Sequence, residues 1–227
     1  MRCPPLPLAA LIAVALTSAH AASGAGAGPA GPARGDSAAA GRAAATLSSA
    51  TFAGGCFWCM ETAFEGLPGV KAVISGYTGG TERRPTYELV SSKKTSHVEA
   101  VRILYDSRQI SYAQLLDFFW HNVDPTDGGG QFCDHGPEYR SEIFYHNAMQ
   151  QRLAEESRRR LQSTPQRFKK PIVTMIVPVA EFWPAEEYHQ DYYKKDPEHY
   201  HHYRKICGRD QRLIDRWGMP GRQGEAK

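Results

Sequence analysis

The sequence predicts an α+β fold, a two-layer α/β sandwich. Three observations lead there. Strand-like and helix-like segments are mixed but do not alternate regularly as βα units. No internal repeat is present, which sets aside solenoids and propellers. Of 227 residues, 41% are hydrophobic and 11% aromatic, enough for one domain with its own core over residues 48–227.

Each element follows from its local pattern. Ala50 to Ala53 is short and extended and stops at Gly54-Gly55. From Cys56 to Phe64 the apolar residues Phe57, Met60, Ala63 and Phe64 recur at helical spacing. Val70 to Tyr77 is a β-rich run closed by Gly79-Gly80, and Val98 to Tyr105 is the strongest strand signal, closed by Asp106-Ser107. Ala113 to His121 reads as an amphipathic helix, and Asp124 to Gly136 as a Gly/Asp-rich loop. Ser141 to Tyr145 is a strand, Asn147 to Gln162 a charged helix, and Ile172 to Val179 a β-branched strand. Pro184 is expected to open a helix running to Lys195, with a last helix from Glu198 to Lys205 after Pro197.

The first 47 residues stand apart. Met1-Arg2, the apolar run Leu6 to Leu16 and Ala19-His20-Ala21 have the form of a cleavable export signal over residues 1–21. The run is too short for a bilayer, which needs about 20 apolar residues, so the mature protein is expected to have no membrane span. Residues 22–47 are almost entirely Ala, Gly, Pro and Ser, the composition of a disordered linker.

Charge argues against a nucleic-acid partner. The whole chain is formally +3, but Arg2, Arg34, Arg42 and Asp36 precede residue 48, leaving 24 basic against 23 acidic side chains beyond it. The remaining basic runs, Arg158-Arg159-Arg160 and Lys169-Lys170, read as solvated faces.

Beyond Cys3 the cysteines are Cys56, Cys59, Cys133 and Cys207. In an exported chain four cysteines suit two disulfides, yet a core of this size needs no staples. Cys56 follows a Gly-Gly turn at a helix start, where the helix dipole and free N–H groups stabilise a thiolate. Cys59, three residues on, lies within disulfide range of it. Four readings stay open on position and spacing alone: a buried structural cysteine, a nucleophile with its redox partner, a thioredoxin-like CxxC, or half of a zinc site. The scattered His199, His201 and His202 fit poorly as the other half. Glu99 interrupts an apolar strand. It is either a solvated edge charge or a buried carboxyl whose raised pKa keeps it protonated. Tyr87, Asp134 and Tyr139 fall in loops or at element ends.

Several motifs in fixed order carry a resemblance: Gly-Cys-Phe-Trp at 55–58, Tyr77-Thr78-Gly79-Gly80, Pro85-Thr86-Tyr87, His97-Val98-Glu99-Ala100-Val101, Asp134-His135-Gly136 with Tyr139-Arg140-Ser141, and Ala185-Glu186-Glu187-Tyr188-His189-Gln190-Asp191-Tyr192. Over Thr51 to Gly218 the chain resembles the A-type peptide-methionine sulfoxide reductases. The resemblance implies a ferredoxin-like plait core with a mixed sheet and an extended C-terminal coil and helix. It implies that Cys56 attacks the sulfoxide sulfur and that Phe57 and Trp58 wall the S-methyl group. Glu99 would protonate the oxygen with help from Tyr87 and Tyr139, while Asp134 orients the site. It further implies selectivity for the S epimer, free or in proteins, and a thioredoxin-like reductant. No metal or other cofactor is expected, and the chain is expected to be a monomer. Members resolve the sulfenic acid either with the i+3 cysteine or with cysteines of a Gly-rich tail. This chain lacks the paired-cysteine tail, so Cys59 ranks first, ahead of Cys207 and Cys133. Ser96, where the family more often has Gly, is expected to alter only a turn.

Overall fold

The computed structural model describes residues 47–164, 168 and 170–218. The expected leader, the linker up to residue 46 and residues 219–227 lie outside the described residues.

Six strands form one mixed sheet: β1 (Ser48–Gly54), β2 (Val70–Thr78), β3 (Val98–Tyr105), β6 (Ser141–Tyr145), β7 (Met175–Pro178) and β8 (Trp183–Pro184), in the order β7-β6-β1-β3-β2-β8. β4 (Gly130–Gln131) and β5 (Asp134–His135) make a separate small hairpin inside the segment expected to be a loop. The helices are α1 (Phe57–Phe64), α2 (Tyr87–Ser91), α3 (Tyr112–Trp120), α4 (Ala148–Gln162), α5 (Tyr192–Lys195), α6 (Pro197–Cys207) and α7 (Arg209–Trp217). The four central strands, with α1 and α3 between them, run β-α-β-β-α-β in the order β6-β1-β3-β2, all antiparallel, as in a ferredoxin-like plait. β7 joins β6 in parallel and makes the sheet mixed.

Period-two alternation gives the sheet two apolar faces. Phe52 points into the layer of α1 and α3, stacking on Phe64, Tyr112 and Phe119 at centroid distances of 5.5, 6.0 and 5.0 Å. Ala53, one residue on, joins Val98, Ala100, Phe144 and Phe182 in a second cluster. In β3 the same alternation turns Val98 and Ala100 away from Glu99 and puts Glu99 on the face of Val101 and Ile103. β3 is also an inner strand between β1 and β2, so Glu99 cannot be an edge charge.

The structure departs from the expected helix after Pro184 and adds two helices that the sequence did not announce, α2 and α7. Pro184 does not open a helix. It ends the edge strand β8 opposite Gly76, where a residue without an N–H is tolerated. From Pro184 to Lys195 the helical residues are the 3-10 turn Glu187–His189 and the single turn α5. Tyr87 is the first residue of α2, capped by Thr86, whose hydroxyl accepts from the Leu89 N–H at 3.4 Å. α7 was not foreseen, because Gly208 in the left-handed conformation breaks the chain after α6 and the next segment is mostly charged.

The C-terminal segment returns to the sheet through Gln190. Its amide accepts from the Ser75 N–H at 2.9 Å and donates to the Ser75 carbonyl at 2.9 Å and the Ala185 carbonyl at 3.0 Å. One side chain thereby completes what another strand would supply, and places residues 186–192 over the start of α1.

Candidate active site

The site grows from the turn between β1 and α1. Gly55 has φ +82°, and a Cβ there would meet the Gln131 Cβ at 2.6 Å, so the turn requires glycine. Cys56 caps α1, and its carbonyl accepts from the N–H groups of Cys59 at 3.1 Å and Met60 at 3.2 Å. The next N–H, that of Phe57, has no partner within the helix and donates to Glu99 Oε2 at 3.0 Å. The thiol and the carboxyl are thereby fixed on either side of one peptide unit.

Glu99 is 1% exposed. Burial pushes its pKa well above the usual carboxylate range; the Phe57 N–H pulls it back in part, and Asp134, Glu138 and Cys59 add to the rise. Its environment therefore favours the protonated carboxyl, one peptide unit from the Cys56 side chain. Tyr77, opposite Glu99 in the β2–β3 register, donates to Glu186 Oε2 at 2.8 Å, and the Tyr87 N–H donates to Glu186 Oε1 at 2.9 Å. Glu186 thus anchors α2 and the Tyr87 ring beside the site. Tyr139 closes the 3-10 turn Pro137–Tyr139, which packs on β3. Asp134 is buried, which raises its pKa, and its Oδ2 accepts from the Tyr203 hydroxyl at 2.7 Å.

Phe57 and Trp58 belong to an aromatic wall that extends well past themselves. Trp58 lies flat on Tyr192, centroids 3.8 Å apart at 7°, and meets Tyr203 edge-on at 6.0 Å. Its Nε1–H donates to His189 Nδ1 at 3.1 Å. Burial lowers the His189 pKa to about 3, so the imidazole is neutral and able to accept that bond. The His189 ring also packs on Phe57 at 4.9 Å and Tyr87 at 4.6 Å. Sequence reasoning gave no role to Glu186, His189, Tyr192 or Tyr203. They stand 69 to 145 positions from the groups they serve; Glu186, His189 and Tyr192 were marked only by membership of the quoted motif, and Tyr203 lies beyond it.

The cysteines divide into two kinds. Cys133, beside Asp134, is disulfide-bonded to Cys207 at the end of α6, with Cα atoms 5.0 Å apart. Cys56 and Cys59 are both thiols, both buried. The Cys59 thiol hydrogen-bonds Cys56, which together with burial pushes its pKa well up, while Arg209 and Arg204 pull it down. Cys133, Asp134 and Cys207 bring donor atoms within 4.8 Å of one another, but their sulfurs are bonded to each other, leaving one carboxylate for a cation.

A thiol pair at a helix start, a buried carboxyl of raised pKa tied to the peptide N–H beside one of those thiols and an apolar aromatic wall define a thiol-dependent oxidoreductase, one whose acceptor takes up a proton as it is reduced. The chain matches the family described as peptide methionine sulfoxide reductase over residues 48–219. It is 53% identical over 169 residues to the peptide methionine sulfoxide reductase MsrA of Bacillus licheniformis, covering 74% of this chain and 93% of that one. To the enzyme of the same name from Bacillus subtilis it is 52% identical over 169 residues, covering 74% and 95%. The solved methionine sulfoxide reductase A of Corynebacterium diphtheriae superposes with a TM-score of 0.61 at 30% identity, over 69% of this chain and 78% of that one. The chain belongs to the A-type peptide methionine sulfoxide reductase family, and its activity is the thiol-dependent reduction of methionine sulfoxide.

Proposed function

We propose that Cys56 is the nucleophile, Glu99 the proton donor and Cys59 the resolving thiol in reduction of the S epimer of methionine sulfoxide. The observation that carries this reading is the Phe57 N–H bonded to Glu99 Oε2 at 3.0 Å, which supports a buried carboxyl of raised pKa acting close to Cys56. A sulfoxide oxygen leaves poorly until protonated. The Cys56 thiolate, favoured at the helix start, attacks the sulfoxide sulfur as Glu99 gives its proton to the oxygen. Methionine departs, and Cys56 is left as a sulfenic acid. Phe57 and Trp58 offer the methyl group an apolar wall, Tyr87 and Tyr139 support the oxygen, and Asp134 holds Tyr203 against Trp58. Cys59 then attacks the sulfenic sulfur, water leaves, and a Cys56–Cys59 disulfide forms. The bond between Cys133 and Cys207 supports this choice, since each already occupies the other. An external dithiol, a thioredoxin-like protein by family resemblance, returns the pair to thiols by exchange.

We also read residues 1–21 as an export signal and 22–47 as a linker. The Cys133–Cys207 disulfide supports this, because such bonds persist in oxidising compartments. The chain acts as a monomer on this reading.

The test is turnover of peptides carrying resolved R and S sulfoxides, with dithiothreitol as reductant. Wild-type protein is expected to reduce only the S epimer, and Cys56→Ser to reduce neither. Activity in Cys56→Ser sinks the assignment of the nucleophile. Cys59→Ser should release about one methionine per chain and then stall with thioredoxin. Sustained turnover would move the resolving role elsewhere.

A further inference from the structure

Arg209 is a buried cation that the mechanism above leaves unused. It opens α7, two residues past Cys207, and is 1% exposed. Only one of its nitrogens is engaged: Nη2 donates to the Gly54 carbonyl at 3.1 Å and the Asn122 carbonyl at 2.7 Å, and lies 3.4 Å from Met60 Sδ. Nε and Nη1 are buried and have no hydrogen-bond partner among the described residues. Among those residues Arg209 makes no ion pair either; its guanidinium lies over the Phe132 ring at 4.5 Å. The charge that bears on it is the buried Asp134, with which it makes no hydrogen bond, and a desolvated guanidinium with Nε and Nη1 idle is costly unless an anion comes to them at some stage.

Its place says which anion. Nη2 touches Gly54 and Met60, and Nη1 would lie 3.5 Å from a Cβ on Gly55. These residues bracket the first turn of α1, which holds Cys56 and Cys59. The groups that bear on the Cys59 thiol are Cys56 on its own turn, Glu99 of β3, Tyr200 and Arg204 of α6, and Arg209 of α7. Cys56 and Glu99 oppose a negative charge there. Arg204 is already matched, by Asp210 at 2.5 Å and by the Tyr200 hydroxyl at 3.2 Å. Arg209, by contrast, keeps Nε and Nη1 without a hydrogen-bond acceptor.

We propose that Arg209 is the positioning residue of the second half-reaction, its guanidinium holding Cys59 as a thiolate for attack on the Cys56 sulfenic acid. The proposal rests on Cys59 being the resolving thiol. In the step the Cys59–Cys56 S–S bond forms, the S–O bond of the sulfenic acid breaks, and hydroxide leaves with one proton as water. Arg209 ends unchanged, its idle N–H groups free again once the anion has been consumed.

The experiment uses the full chain, reduced at Cys56 and Cys59 and mixed with one equivalent of sulfoxide peptide. Methionine release and loss of free thiols are followed separately from pH 5 to 9. In Arg209→Gln, which keeps an amide donor and loses the charge, methionine release should persist while thiol loss slows about tenfold at pH 7. Its pH midpoint should rise by about one unit, the effect of removing a cation close to a thiolate. Arg209→Lys keeps the charge and should keep the wild-type midpoint. A wild-type midpoint in Arg209→Gln overturns the proposal. If Arg209→Gln fails to fold, a raised midpoint in Arg209→Lys overturns it instead. Sustained thioredoxin turnover by Cys59→Ser would overturn the resolving role itself, whatever the Arg209 variants do.

Discussion

Glu61 gives a test in which stability and site geometry move together. It lies in α1, 2% exposed, and its Oε1 accepts from the Asp191 N–H at 3.1 Å. Its Oε2 is buried without a partner. Burial raises its pKa from 4.5 to about 8; the Asp191 N–H pulls it back in part, and the charges of Asp191 and Glu65 add to the rise. Folding therefore raises the pKa of an acid, so between pH 4.5 and 8 the native state holds a proton that the unfolded chain has released. The contribution is fully present below the unfolded value and fades as pH climbs through the native one. At about 1.4 kcal/mol per unit the loss is about 3 kcal/mol at pH 7 and has an upper bound of about 5 kcal/mol above pH 8. Glu61→Gln removes the titration and keeps an oxygen for the Asp191 N–H. Urea melts at pH 5, 7 and 8.5 should show the variant level with wild type at pH 5 and ahead by about 2–5 kcal/mol at pH 8.5. In thermal melts each kcal/mol appears as about 2–4 °C. A constant offset between the two proteins at all three pH values would refute the reasoning. Asp191 sits at φ +52° between His189 and Tyr192, so the same titration loosens the segment that braces Trp58.

Other perturbations have separate signatures. Glu99→Gln retains an acceptor for the Phe57 N–H but has no acidic proton, and single-turnover methionine release should slow about 10²–10⁴-fold; an unchanged rate removes Glu99 as the acid. Gly55→Ala drives a methyl into Gln131 at a left-handed φ, and calorimetry should register a loss of at least about 1–3 kcal/mol together with reduced turnover. Cys207→Ser opens a 74-residue loop, a loss of about 4 kcal/mol by chain entropy, visible in oxidised protein and absent when wild type and variant are compared after full reduction.

What could be read from the sequence tracks how local the cause is. β3, β6, α1, α3 and α4 follow from period-two or helical patterning within one window, and Cys56 from the glycine turn before it. α2 was hidden because its five residues are too few to show a period, and only Thr86 at its cap marks it. α7 was hidden because its buried face is Leu213 and Trp217 among charges, with Arg209 buried as well. A buried carboxyl could be suspected from Glu99 in an apolar strand, but its burial followed only from the inner position of β3. His189, Glu186 and Tyr203 act across the fold, and no spacing rule ties them to Trp58, Tyr87 or Asp134.

The bonded pair at Cys133 and Cys207 changes what a routine assay measures. A small dithiol added in excess reaches every sulfur it can attack and does not distinguish a resting crosslink from a spent catalytic pair. On the proposed scheme, a protein donor that recharges only Cys56 and Cys59 would leave the crosslink closed. Rates recorded with the two reductants therefore belong to two covalent forms of the chain, one with α6 and α7 tied down beside Asp134 and one with them released. Counting thiols before comparing those rates is what makes the numbers commensurable.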